Sequence, residues 1–114
     1  MLPDKDQIRM KHMLDAAEKL VLFTKDSKRE DLDKDEKLGL AVVRLTEILG
    51  EAASKITDET REEHSDFPWR EMTSTRNRLI HGYFDVDYDI IWAIIKNDIP
   101  GVIEKIKVLL PGGK

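Results

Sequence analysis

The chain has no cysteine, one glutamine and two asparagines among its 114 residues, and only 6% of it is aromatic. Without cysteine, disulfides and thiolate metal sites are excluded. The absence of cysteine does not indicate whether the protein resides in a reducing or an oxidising compartment. No stretch reaches the roughly 18 apolar residues of a membrane span, and the charged N-terminus does not resemble a signal peptide. We therefore expect a cytoplasmic protein that makes no membrane contact.

Charged residues make up 37% of the chain, with a net charge of -4. This acidic balance argues against a protein that coats nucleic acid through its overall charge. Residues 67–82 nevertheless carry three arginines and one acid, and three aspartates follow within residues 85–89. This change from positive to negative charge would suit a pocket of the size of a phosphate group. Such a pattern is more commonly found at a solvated helix end.

Apolar residues recur at helical spacing along the whole chain, and they make up 40% of it, enough for one modest core. The pattern predicts helices over residues 4–24, 34–56 and 68–81, and a fourth from about residue 87. The segment 25–37, with 11 charged residues of 13, indicates a solvated connector with room for one helical turn. We predict a single all-α domain over residues 1–114, an antiparallel bundle of four helices, or five if Pro100 breaks the last one.

Several conspicuous residues are assigned to packing. Met10 and Met13 lie on the apolar stripe of the first helix, and Gly39 would let another helix approach closely. Trp69 and Trp92 are expected to pack within the bundle, with stacking on a base as the less probable use.

The octapeptide RNRLIHGY at residues 76–83 concentrates the chemically useful side chains. Arg76 can neutralise a phosphate, His81 titrates near neutral pH, and Asn77 and Tyr83 can orient or donate. These groups suit phosphodiester cleavage without a metal. Arg76 and His81 would lie about 140° apart around an ideal helix, so a helix end at Gly82, the length of the arginine side chain or a second copy must bring them together.

Simpler roles exist for the same residues. His81 could interact with the carbonyls at a helix C-terminus, and Arg76 could be a surface charge. His12 is expected to be exposed. His64 lies among acids that could form a weak metal site, but the spacing matches no known ligand pattern and a solvated loop is the preferred interpretation. Glu51 could support the site from across the bundle or lie on the surface.

The pattern Arg76-Asn77-x-x-x-His81-x-Tyr83 resembles the Arg-x4-His-x-Tyr signature of the HEPN superfamily, specifically of HepT-like toxins that pair with minimal nucleotidyltransferase antitoxins. A polar residue directly after the arginine belongs to that pattern. The resemblance extends to EILGEAA at residues 47–53, PWRE at 68–71 and IIWAII at 90–95. One departure is TST at residues 73–75, where that family more usually has small or glycine-containing sequence.

The resemblance implies a metal-independent endoribonuclease toxin that needs no cofactor and forms a homodimer with both motifs facing one cleft. Arg76 would stabilise the phosphate, His81 would act as general acid or base, Asn77 would orient, and Tyr83 would position the substrate. It also implies an antitoxin that transfers AMP from ATP to Tyr83. Assembly beyond the dimer is left open.

In a second interpretation, the motif contacts phosphate but does not catalyse a reaction. The chain would then be a helical subunit that binds substrate or nucleotide within a nucleotidyltransferase complex, using the motif for phosphate contact.

Overall fold

The computed structural model describes residues 2–75 and 86–111, and most of them are helical. Seven α-helices and one π-helical segment are found in these two ranges. They are α1 (Asp4–Thr24), α2 (Asp31–Lys34), α3 (Glu36–Ser54), α4 (Asp58–Glu63), α5 (Trp69–Thr73), α6 (Tyr88–Ala93), the π-helical segment Ile94–Asp98 and α7 (Ile99–Leu109). The predicted all-α fold is confirmed.

The two long helices α1 and α3 pack against each other and form the centre of the bundle. They are antiparallel, because Asp6 at the start of α1 hydrogen-bonds to Thr57, just beyond the end of α3. Helix α7 packs on α1, and α5 packs on α3. The core between the helices is built from fully buried side chains that include Met10, Met13, Leu20, Val42, Leu49, Met72, Ile91, Ile99 and Ile106.

Helix α1 covers the range predicted from its periodicity, and Met10 and Met13 are fully buried as expected. The second predicted helix, residues 34–56, is observed as Glu36–Ser54. It begins two residues later because the Asp35 side chain caps it, accepting a hydrogen bond from the Leu38 amide at 3.2 Å. An aspartate at this position satisfies an amide that has no partner within the helix.

The acidic and charged segments contain more structure than their composition indicates. Within the connector, Leu32 is only 2% exposed and fixes the short helix α2 to the core. In the stretch after α3, Thr57 caps α4, whose Thr60 is buried. One apolar side chain and one capping hydroxyl are enough to order a segment that is otherwise solvated.

Pro100 does not break the last helical run. Backbone dihedrals remain right-handed helical through Ala93, Ile94, Asp98 and Ile99, so α6, the π-helical segment and α7 form one continuous run. A proline has no amide hydrogen, and its ring clashes with the carbonyl four residues earlier. The π-helical segment, which ends at Asp98, lies just before Pro100, where the regular hydrogen-bond pattern of the run is interrupted.

None of the helices in the described ranges is both long enough and apolar enough to cross a membrane.

Candidate functional site

The four residues predicted to form the site, Arg76, Asn77, His81 and Tyr83, lie outside the described residues, as does the predicted helix end at Gly82. The structure does define where the chain enters this segment, at Thr75, and where it leaves it, at Val86. The two flanks can therefore be described residue by residue.

On the entry side, aromatic packing holds the start of α5. The rings of Phe67 and Trp69 are 4.3 Å apart between centroids, and the Trp69 indole N–H donates to the His64 carbonyl at 2.9 Å. Met72 is buried one turn later. The prediction that Trp69 packs within the bundle is confirmed, because both its ring and its polar atom have partners.

The TST sequence at residues 73–75 ends this helix through its hydroxyl groups. Thr73 Oγ1 donates to the Arg70 carbonyl at 3.1 Å, and Ser74 Oγ and Thr75 Oγ1 donate to the Glu71 carbonyl at 3.3 and 2.8 Å. Such back-bonding adds side-chain donors to carbonyls of the last helical turn, and the Arg70 carbonyl also accepts a hydrogen bond from the Ser74 amide at 3.0 Å. Thr75 is completely buried, so the chain enters the motif segment from an anchored residue.

On the exit side, α6 begins with a capping aspartate. The Asp87 side chain accepts a hydrogen bond from the Ile90 amide at 3.1 Å. Asp89 pairs with Arg29 of the connector, with Oδ1 2.6 Å from Nε. At this end of the segment, therefore, two of the three aspartates that the sequence places after the motif have structural partners.

Arg29 is a residue whose role the sequence did not reveal. Its guanidinium bridges Asp89 at 2.6 Å and Asp33 at 2.9 Å, joining α6 to α2 across 60 residues of sequence. The hydrogen bond that Arg29 donates to Asp89 raises the pKa of Arg29, with a smaller contribution from the one it donates to Asp33. Its position in a run of mixed charges gave no signal that distinguished it from its neighbours.

A second missed residue, Asp6, is completely buried at the base of the bundle. Its carboxylate accepts hydrogen bonds from the Thr57 amide at 3.1 Å, the Thr57 hydroxyl at 2.7 Å and the Thr60 hydroxyl. Burial by itself would raise the pKa of Asp6, but the hydrogen bonds from Thr57 and Thr60 outweigh it and the pKa is lowered. The ionised carboxylate therefore fixes α1 to α4.

The other two histidines have no arrangement suited to catalysis. His12 is exposed on α1, as predicted, and His64 is half-buried with its carbonyl bound to Trp69. Within residues 2–75 and 86–111, no group of three histidine, cysteine or carboxylate side chains could hold a metal ion.

Comparison with known proteins identifies the family. A family model described as ribonuclease HepT-like matches residues 13–109, which include the whole motif. The chain belongs to the ribonuclease HepT-like family. This confirms the resemblance seen in the sequence.

Full-length relatives agree with that assignment. A protein from Caldanaerobacter subterraneus subsp. tengcongensis is 42% identical over 101 residues, covering 89% of this chain and 90% of the relative. One from Thermococcus cleftensis is 38% identical over 100 residues, covering 88% and 91%. A third, from Methanocaldococcus jannaschii, is 36% identical over 97 residues, covering 85% and 89%. Their names designate them provisionally as ribonucleases, the second as ribonuclease HepT.

No solved structure shows a significant match to this chain. Family membership supports a ribonuclease function.

Proposed function

We propose that this HepT-like ribonuclease is a metal-independent endoribonuclease toxin, with Arg76 and His81 as its catalytic pair. The observation that carries the proposal is the motif itself, which lies within the matched range 13–109 and contains no carboxylate. Arginine, histidine, an amide and a phenol supply charge stabilisation and proton transfer. A carboxylate cluster, the usual ligand set for Mg²⁺, is not part of the motif.

The reaction we propose is transesterification within the RNA chain. A base removes the proton of the 2'-hydroxyl, whose oxygen forms a bond to phosphorus while the bond from phosphorus to the 5'-oxygen breaks. An acid gives the departing 5'-oxygen its proton, so the products are a 2',3'-cyclic phosphate and a 5'-hydroxyl. His81 would serve as acid or base, and Arg76 would stabilise the charge of the pentavalent phosphorane.

Two residues would assist this pair. Asn77 would orient the substrate or the catalytic groups, and Tyr83 would position the RNA. Because Arg76 and His81 would diverge around an ideal helix, a homodimer with two motifs facing one cleft would complete the site.

Regulation by a nucleotidyltransferase antitoxin is part of the proposal. The Tyr83 hydroxyl oxygen would form a bond to the α-phosphorus of ATP, pyrophosphate would leave, and the phenolic proton would pass to a base or to solvent. The attached AMP would add bulk and negative charge near Arg76, and both would oppose entry of a substrate phosphate.

The decisive experiment is an RNA cleavage assay with the purified chain in the presence of a chelator. We expect cleavage that ends in cyclic phosphate and is abolished in the His81→Ala variant. Arg76→Lys should also be inactive, because lysine keeps the charge but cannot grip two phosphate oxygens with a planar fork. Cleavage undiminished by His81→Ala would refute the catalytic assignment.

Failure of the wild-type protein to cut any RNA would favour the non-catalytic substrate-binding or nucleotide-binding subunit. The antitoxin step is tested separately, by mass spectrometry after incubation with the cognate nucleotidyltransferase, ATP and magnesium. An AMP adduct is expected on Tyr83 and not on the Tyr83→Phe variant. Neutralisation without an adduct would show that the partner acts by binding alone.

A further inference from the structure

A groove of about 100 Å³ lies between α1 and α3, and none of the described residues that line it is assigned to catalysis. Helix α1 contributes side chains one turn apart, and α3 contributes a stripe along its second half. The charged and titratable side chains that line it are Arg9, His12, Arg44, Glu51 and Lys55. The antiparallel packing of α1 and α3 brings these side chains together although more than 30 residues of sequence separate His12 from Arg44.

The groove is cationic although the chain carries a net charge of -4. Among the described residues that line the groove, three carry a positive charge, namely Arg9, Arg44 and Lys55, and one, Glu51, carries a carboxylate. Among the residues that the structure describes, no carboxylate lies within 4 Å of Arg9 or Lys55. Arg44 approaches Glu47 only at 3.7 Å and keeps 68% of its side chain exposed. These cations repel one another, so binding an anion would relieve an unfavourable interaction.

The shape and lining of the groove select a phosphate group over a base. Ile48 and the nearly buried Ala52 form an apolar floor, which strengthens charge interactions by excluding water from one side. Arginine side chains can bind two phosphate oxygens at once. Apart from the imidazole of His12, the lining within the described residues includes no aromatic ring, and it holds no Phe, Tyr or Trp on which a base could stack.

The groove and the entry to the motif share one helix. Helix α5, which leads directly into the motif, packs on α3, and the cationic stripe also lies on α3. We propose that this groove binds a phosphodiester of the RNA substrate at a position outside the cleaved bond. The inference rests on the proposed ribonuclease function, and it assigns to the bundle a substrate contact that the motif does not provide.

The test measures binding of a 2'-O-methyl RNA oligonucleotide, which lacks the attacking hydroxyl and cannot be cut by transesterification. The double variant Arg9→Gln/Lys55→Gln should bind it about tenfold more weakly by fluorescence anisotropy, and the slope of log affinity against log salt should fall in magnitude by about 0.7 for one lost single-strand phosphate contact. With cleavable RNA, KM should rise while kcat stays close to the wild-type value.

Two matched variants make the test specific. Glu51→Gln removes the negative charge from the groove and should tighten RNA binding about threefold, the size expected for one charge several ångströms away in water. Lys25→Gln removes an exposed cation at the far end of α1, about 24 Å from Arg9 at 1.5 Å per residue. It should leave RNA binding unchanged.

Occupancy of the groove can be observed directly through His12, one of three histidines in the chain. Its C2 proton resonance, assigned with a His12→Gln variant, should shift on addition of the oligonucleotide. In the Arg9→Gln/Lys55→Gln protein the shift should be lost. Inorganic phosphate alone should give a much weaker effect, which separates an RNA contact from a site for a free anion.

The outcomes distinguish the two proposals. A His12 shift and the expected order of affinities, with no cleavage of unmodified RNA, would support the groove and refute the ribonuclease mechanism. Normal cleavage by the double variant, with unchanged affinity and no His12 shift, would overturn the groove alone. Loss of the dimer in the double variant by light scattering, with RNA affinity unchanged, would also overturn it and make the groove a contact between copies.

Discussion

Gly39 lies where α3 meets α6, the helix that follows the motif segment. Adding one methyl group at Gly39 tests how closely these helices pack. Gly39 lies buried near the start of α3, where a Cβ atom would be 2.8 Å from Tyr88 Oη and 2.9 Å from the Leu32 carbonyl oxygen. Tyr88 is the first residue of α6, and Leu32 belongs to α2. We predict that Gly39→Ala destabilises the protein although alanine favours helix.

The magnitude follows from two opposing terms. Replacing glycine by alanine inside a helix contributes about 1 kcal/mol in favour of folding. Against this, the new methyl must gain about 0.6 Å of clearance from the Leu32 carbonyl to reach ordinary contact near 3.5 Å. Leu32 is only 2% exposed, so its backbone cannot shift freely. Overpacking of this kind costs about 1–3 kcal/mol, so the net loss should be about 0–2 kcal/mol.

Gly101 provides the matched control. It lies in α7 within the continuous helical run, and a Cβ atom there would meet no atom within 4 Å. Gly101→Ala should therefore show the helix-propensity term alone and stabilise by about 0.5–1 kcal/mol. The two variants, with the same chemical change, should differ by about 1–3 kcal/mol.

The assay is reversible urea or thermal unfolding followed by circular dichroism, at one protein concentration because assembly would shift the transition. A difference of 1 kcal/mol corresponds to about 4 °C in Tm for a domain of this size. Equal or greater stability of Gly39→Ala relative to Gly101→Ala would refute the close-approach argument. Adding Tyr88→Phe to Gly39→Ala should recover part of the loss, since it removes the nearest atom.

Three further predictions concern the core and the charged contacts. Asp6→Asn should lower the free energy of unfolding at pH 7 by about 1.5–3 kcal/mol, because the buried hydrogen bonds lose their charged acceptor. Since the pKa of Asp6 is lowered on folding, the wild-type advantage should persist above its ordinary value of 3.8 and vanish as the pH falls through the folded-state pKa; an advantage that grows in acid would contradict this. Asp89→Asn should cost less than about 1 kcal/mol, since Asp89 is 82% exposed, and the cost should disappear at 1 M salt. Leu49→Ala should cost about 2–5 kcal/mol and Leu40→Ala, at 64% exposure, less than about 0.5; similar losses for the two leucines would show that the core is assigned wrongly.

The spacing of apolar residues predicted a helix well where its apolar stripe packs against another long helix. The limits of α1 and the burial of Met10 and Met13 follow from spacing alone, because a helix repeats every 3.6 residues and its apolar face must be covered. Composition allowed α2 only as a single helical turn within the connector, and it did not indicate α4. Each depends on one buried or capping residue, Leu32 or Thr57, within a polar stretch.

The family and its motif could also be recognised from sequence, because Arg76, Asn77, His81 and Tyr83 occur in a fixed order that a family model matches independently. Their roles in catalysis and modification stay predictions. The four residues lie outside the described ranges, so the relative placement of Arg76 and His81 is not tested.

The sequence by itself therefore determined the helical class, the two longest helices and the family, all of which depend on local spacing and residue order. Only the tertiary structure decided which charged residues interact with each other. Asp6 with Thr57, Arg29 with Asp89, and the groove between Arg9 and Lys55 each join residues more than 40 positions apart. The physical reason is that the strength of a charge interaction depends on distance and on exclusion of water, and both are set by how the helices pack.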